Sequence, residues 1–93
     1  TYYSDKYQGR RTASGEVYDK HKLTTVHKDY PFGTILRVTN LENNLSVTVK
    51  VNDRAPLHND HVLDLSKQAA MELDFIHAGW ANVKIEVLQF GNA

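Results

Sequence analysis

The sequence predicts a small, mainly β domain closed into a barrel, and three observations carry that prediction. Segments of strand-like alternation recur along its 93 residues, while only one stretch reads as a helix. The chain is also too short for a sandwich of two separate sheets, which leaves a small barrel as the economical way to cover strand edges. A second domain would fall below the usual minimum size, so residues 1–93 are expected to form one unit that buries roughly 60–65% of its unfolded surface.

About six strands are expected, with one short helix. The first candidate is "TYYS" at 1–4 and the second "LTTV" at 23–26. Leu36 and Val38 then alternate within "TILRVTN" at 34–40, and Val47, Val49 and Val51 alternate within "LSVTVKVN" at 45–52. Glu42-Asn43-Asn44 joins these two, and asparagine tolerates left-handed backbone, so the pair reads as a β-hairpin. "HVLDL" at 61–65 and "NVKIEVLQF" at 82–90 complete the strands. Ser66 is a good N-cap for "KQAAMELDF", whose apolar positions Ala69, Ala70 and Leu73 suit a short helix over the sheet. "PFGT" at 31–34 and Ser14-Gly15 are turn signals.

Composition removes several classes of function. Eleven basic side chains balance eleven acidic ones, and no basic run offers a nucleic-acid surface. No apolar segment approaches the length of a membrane helix, and no basic amphipathic helix suggests membrane contact. The absence of cysteine excludes disulfides, thiol catalysis and cysteine-ligated zinc. "TYYSDKYQGRR" lacks a signal-peptide pattern, so in an exported protein this segment would be the processed or excised part. The expectation is a soluble monomer that uses no cofactor.

Asp53 is the sharpest chemical signal. It follows the alternating set Leu45, Val47, Val49, Val51 at the same parity, which predicts a carboxyl at the barrel rim above apolar side chains. Such surroundings favour a protonated acid that can serve as a proton donor, although Asp53 could equally cap the turn "DRAP" or pair with Arg54. Glu16 and Asp19, three residues apart in "SGEVYD", form a carboxylate pair of the kind glycoside cleavage uses, or else a solvated turn. His27 could orient a carboxylate or act as a hydrogen-bonded structural residue. His58, Asp60, His61 and Asp64 crowd together, but His61 and Asp64 have opposite strand parity and no metal site is expected. A Ser14, His27, Asp53 triad lacks the surrounding nucleophile elbow. All five tyrosines precede residue 31, among them Tyr3, Tyr7 and Tyr18, and a partly exposed aromatic row beside carboxylates would suit a carbohydrate groove. Trp80 reads as a packing residue.

Four ordered stretches, "GRRTASGEVYD", "LTTVHKDYPFGTILRVTN", "VTVKVNDRAP" and "VLDLSKQAAMEL", closely resemble the rare lipoprotein A family of bacterial septal lytic transglycosylases. The resemblance runs from Tyr3 to about Leu88. It implies a six-stranded double-psi β-barrel related to expansins, with crossing loops that periodicity does not predict. It also implies catalytic or site roles for Asp53 of the V-N-D-R motif, Glu16 and Asp19 of T-A-S-G-E-x-x-D, and His27 of L-T-x-x-H. Tyr3, Tyr7, Tyr18 and Arg54 are the expected substrate contacts. Two residues depart from the family pattern: Ala55 stands where glycine is common, and Ser4 where glycine often follows the aromatic pair. Neither a lipoprotein cysteine nor a sporulation-related repeat domain is present, so septal targeting does not follow from this chain.

The resemblance further implies a peptidoglycan glycan-strand substrate in the bacterial cell envelope, in the periplasm or outer-membrane anchored through a segment absent here. The bond cut would be the β-1,4 link between N-acetylmuramic acid and N-acetylglucosamine, in strands freed of peptide, with a 1,6-anhydro product. Asp53 would act as acid and then base, Glu16 or Asp19 would stabilise developing positive charge, and His27 would hold the network. Two other readings use the same residues. One is hydrolysis with Glu16 or Asp19 activating water, and the other is an expansin-like domain that binds glycan without cutting it.

Overall fold

Alternation along two long strands, broken by one extra residue at the end of the second, sets the direction in which Asp53 leaves the sheet. The computed structural model describes residues 1–55, 57 and 61–92. Its strands are β1 (Thr24–Val26), β2 (Ile35–Asn40), β3 (Ser46–Asp53), β4 (Asp64–Leu65) and β5 (Val83–Gln89). A 3-10 turn at Asp5–Tyr7 precedes β1, and α1 (Lys67–Glu72) follows β4. Among the described residues no helix is long and apolar enough to cross a membrane.

β2 and β3 form the expected antiparallel hairpin, in register from Ile35 opposite Lys50 to Thr39 opposite Ser46. Its turn closes with Asn44 at φ 61°, the left-handed conformation that asparagine adopts at low cost. β5 lies antiparallel on the other side of β2, β1 pairs in parallel with β3, and β4 pairs antiparallel with β1. The strand order is therefore β4-β1-β3-β2-β5. Leu36, Val38, Val47, Val49 and Val51 supply the inner face and pack with Leu63, Leu65, Leu73 and Phe75. Ala69, Ala70 and Leu73 of the helical segment are fully buried against this core. Ser66 caps α1 as predicted: its Oγ accepts from the Ala69 N–H and donates to the Lys22 carbonyl, tying helix to sheet.

The expected six-stranded closed barrel is corrected by this arrangement. Among the described residues the sheet has five strands, and its edges β4 and β5 are not paired with each other. "TYYS" contributes only a single parallel bridge, Tyr2 to Leu65, flanked by the Leu65 N–H to Thr1 carbonyl and Tyr3 N–H to Leu65 carbonyl bonds. The physical cause is Ser4, whose Oγ accepts from the Lys6 N–H and turns the chain into the 3-10 turn before a ladder can extend. "HVLDL" is likewise a strand only at Asp64–Leu65. Trp80, expected to pack, is instead more than half exposed.

β3 departs from simple alternation where the chemistry begins. Thr25 pairs with Val51, but the next residue, Val26, pairs with Asp53, so Asn52 is an extra residue in the β3 ladder. Adjacent residues of a strand face opposite sides, and Val26 faces away from Thr25. Val51 consequently joins the main core, whereas Asp53 turns to the side of Val26. There, Val26 packs with Tyr3 and Tyr18 in a second, smaller cluster beneath the N-terminal loop.

Candidate active site

Asp53 lies in a cleft of about 320 Å³ whose lining includes Tyr3, Tyr7, Arg10, Tyr18, Val26 and Asp64. The alternation that placed its carboxyl above apolar walls does not describe its surroundings, because the extra residue in β3 redirects it toward hydrogen-bond donors. Its Oδ1 accepts from the backbone N–H groups of Ala13 (2.8 Å) and Arg54 (2.9 Å), and its Oδ2 accepts from the Tyr3 hydroxyl at 2.5 Å. Two amides thus hold Oδ1, and the Tyr3 hydroxyl meets Oδ2.

The Ala13 amide reaches Asp53 because the "TASGE" segment folds into a tight turn. Thr12 donates from both N and Oγ1 to the Glu16 carbonyl, and the Gly15 N–H bonds back to the Thr12 carbonyl. Gly15 sits at φ 93°, which a side chain would strain. The Ser14 N–H pins the turn to β3 through the Asn52 carbonyl. Here a motif noted for its carboxylates works through its backbone as well.

Glu16 does not meet Asp53 directly. Its two carboxylate oxygens engage Lys50 Nζ at 2.7 Å and Asn52 Nδ2 at 3.1 Å, and these bonds, led by the one from Lys50, hold it below the usual carboxylate range. Asp19 is farther from the cleft's chemistry: its Oδ1 accepts from the His21 N–H in a local turn, and it does not line the cleft. The structure thus joins Glu16 to the Asp53 strand through Asn52, a residue the alternation pattern placed outside the core but which is 3% exposed. It does not bring Asp19 to Asp53.

His27 adjoins the site mainly through its backbone. Its N–H donates to the Asp53 carbonyl at 3.2 Å, and its own carbonyl accepts from Arg54 Nη1 at 2.8 Å. Arg54 is further held by its guanidinium over the Phe32 ring, 4.5 Å from the centroid. The His27 ring stacks on Tyr30 at 3.9 Å between centroids, and its Nδ1 accepts from the N–H groups of Asp29 and Tyr30. A nitrogen that accepts two N–H donors carries no proton, so the neutral tautomer bears its hydrogen on Nε2. Burial lowers the His27 pKa from the ordinary 6.5. As pH falls through that value the unfolded chain takes up the proton first, so this residue's contribution to stability is present above it and is lost below. The melting-temperature gap between wild type and His27→Gln is therefore expected to narrow between about pH 7 and about pH 5.5, as differential scanning fluorimetry would read. A constant gap would mean that folding does not lower the affinity of His27 for its proton.

The tyrosines divide differently from the expected exposed row. Tyr3 (7% exposed) and Tyr18 (1% exposed) are buried and stack face to face at 4.2 Å, while Tyr7 stands edge-on to Tyr3 at the surface. Tyr3 therefore positions Asp53 rather than presenting a sugar platform, and burial raises its pKa, reinforced by its bond to Asp53. Of the three, Tyr7 is the aromatic available to a ligand, with Arg10 beside its ring.

Among the cleft residues that sequence reasoning did not assign to the site are Arg10, Val26 and Asp64, the last weighed only as a metal ligand. His58 and Asp60, two other members of that group, lie outside the described residues. Asp64 is partly buried, bonded from Thr1 Oγ1 at 3.1 Å, and burial pushes its carboxyl above the ordinary value. The available signal was its place in "HVLDL", where an acid interrupts an apolar strand just as Asp53 does. A larger cleft of about 500 Å³ opens elsewhere between Val62, Phe75, Trp80 and Val83, and among the described residues no carboxyl side chain lines it. Asp53 and Asp64 both line the smaller one.

Residues 1–85 match the double-psi β-barrel family model described as lytic transglycolase. The chain is 47% identical over its whole length to the endolytic peptidoglycan transglycosylase RlpA of Campylobacter jejuni and 43% identical over its whole length to that of Neisseria meningitidis. It is 46% identical over 92% of its length to the Pseudomonas aeruginosa protein of the same name. It spans 34%, 39% and 25%, respectively, of those relatives' lengths. With most of its residues inside the family model and full-length similarity to several relatives, the chain belongs to the lytic transglycolase family of double-psi β-barrel domains.

Proposed function

We propose that this domain is a peptidoglycan lytic transglycosylase of the bacterial cell envelope, with Asp53 as its acid/base residue. The observation that carries the proposal is the cleft lined by Asp53, whose Oδ1 is fixed by two backbone amides and whose Oδ2 accepts from the Tyr3 hydroxyl. The family match supports the choice of substrate and reaction class.

The reaction breaks the bond from muramic acid C1 to the neighbouring sugar's O4, which takes a proton. The C6 hydroxyl of the muramic residue attacks C1 and releases a proton, closing a 1,6-anhydro ring. One proton enters and one leaves, and no water is consumed, so a single carboxyl can serve both halves. Arg54 is anchored by His27 and Phe32 next to Asp53, and Tyr7 and Arg10 form the outer rim against which a glycan strand would lie. Glu16, held by Lys50 and Asn52, is the motif carboxylate that reaches β3 beside Asp53.

The test is mass spectrometry of the products from intact and amidase-stripped peptidoglycan. Anhydro-ended fragments are expected, more abundant from stripped strands. Reducing ends would assign hydrolysis instead, and strand binding without any product would make this a glycan-binding domain.

A further inference from the structure

Asp53 is not the only carboxyl that reaches the cleft, and the sheet register explains why. Val26 of β1 pairs with Asp53 on one side and with Asp64 on the other. Paired residues on neighbouring strands share a face, so Asp53 and Asp64 flank Val26 on the same side of the sheet. Two interstrand spacings separate their backbones by roughly 10 Å. Both side chains line the cleft, with Tyr3, Tyr18 and Val26 forming the wall they share.

We propose that Asp64 is a second catalytic carboxyl, which gives its proton to the leaving glycosidic oxygen while Asp53 Oδ2 takes the proton from the attacking hydroxyl. This inference rests on the function proposed above and divides between two residues the work there placed on one. Their surroundings differ in the sense the division needs. Asp53 receives three donors and suits the proton acceptor. Among the described residues Asp64 accepts a hydrogen bond from Thr1, and its burial, with the negative charge of Asp53 nearby, favours the protonated form. The titratable and charged groups that line the cleft with the pair are Tyr3, Tyr7, Tyr18, Arg10 and Arg11, and the Thr1 ammonium and His61 act on Asp64 in the opposite sense to burial. In each turnover Asp64 loses one proton and Asp53 gains one, and exchange with water restores both.

A leaving-group comparison tests this. Rates are measured on amidase-stripped glycan strands and on a 4-nitrophenyl β-glycoside of the disaccharide, whose nitrophenolate departs without protonation. Asp64→Asn is expected to lose at least about a hundred-fold on strands yet stay within about ten-fold of wild type on the aryl glycoside, whereas Asp53→Asn loses on both. An Asp64→Asn domain that cuts strands at near the wild-type rate, or is equally impaired on both substrates, would overturn the assignment. If that variant does not fold, Asp64→Glu decides through the alkaline limb of its pH profile on strands. A limb displaced from the wild-type position supports the proposal, and an unmoved one overturns it. Failure of the wild type to form anhydro ends would defeat the functional reading itself, whereas wild-type cutting with an indifferent Asp64→Asn defeats only this inference.

Discussion

Asp53→Asn is expected to fold like the wild type and to release anhydro products at least about a hundred-fold more slowly, within the usual range of about 10² to 10⁴ for loss of general acid/base catalysis. The structure makes this substitution informative because it leaves the local hydrogen bonds nearly unchanged. An asparagine Oδ1 still accepts from Ala13 and Arg54, and its Nδ2 can donate to the Tyr3 hydroxyl oxygen, which is also an acceptor. What disappears is the ability to bind and release a proton. Product mass spectrometry gives the rate, and a thermal melt shows whether the fold is retained. A folded Asp53→Asn domain within ten-fold of wild type would remove Asp53 from the proton-transfer steps.

The long elements were legible because burial on one side writes a period into the sequence. β2, β3, β5 and the Ser66-capped helix lie where alternation and capping placed them, and Asn44 turns the hairpin as its chemistry suggested. What was not legible depended on pairing between distant segments. The extra residue at Asn52 exists only relative to β1, and nothing within "KVNDRAP" marks it. It nevertheless decides which face Asp53 occupies. For the same reason Asp53 could be singled out as unusual while its neighbours were misjudged. Tyr3 approaches from fifty residues away to orient it, and Asp64 reaches the cleft only because Val26 pairs with both acids. Asp19 failed as a partner because sequence proximity to Glu16 in a turn says little about direction. Its carboxyl closes a local turn on His21 instead.

Tyr18→Ala is expected to have the largest effect on stability of any single change near the site. The ring is almost fully enclosed, lies flat against Tyr3, and carries a hydroxyl that accepts from the Lys67 N–H at the start of α1. The backbone of Tyr18 is bonded both ways to the N-terminal loop, to Arg10 and from Gly9. Removing the ring leaves a cavity where the smaller core cluster joins the sheet, and truncation of a buried aromatic costs about 3–5 kcal/mol. For a domain of this size each kcal/mol moves the melting temperature by roughly 4–8 °C, so a fall of more than about 12 °C is expected. Tyr18→Phe separates the two contributions: it keeps the ring and gives up one hydrogen bond, which costs about 1 kcal/mol. Calorimetric melts of both variants would check the order. If Tyr18→Ala melted no lower than Tyr18→Phe, the N-terminal layer would be held by its backbone bonds rather than by the aromatic stack. The placement of Tyr3 against Asp53 would then rest on the Tyr3 backbone bond to Leu65 and the hydroxyl contact itself.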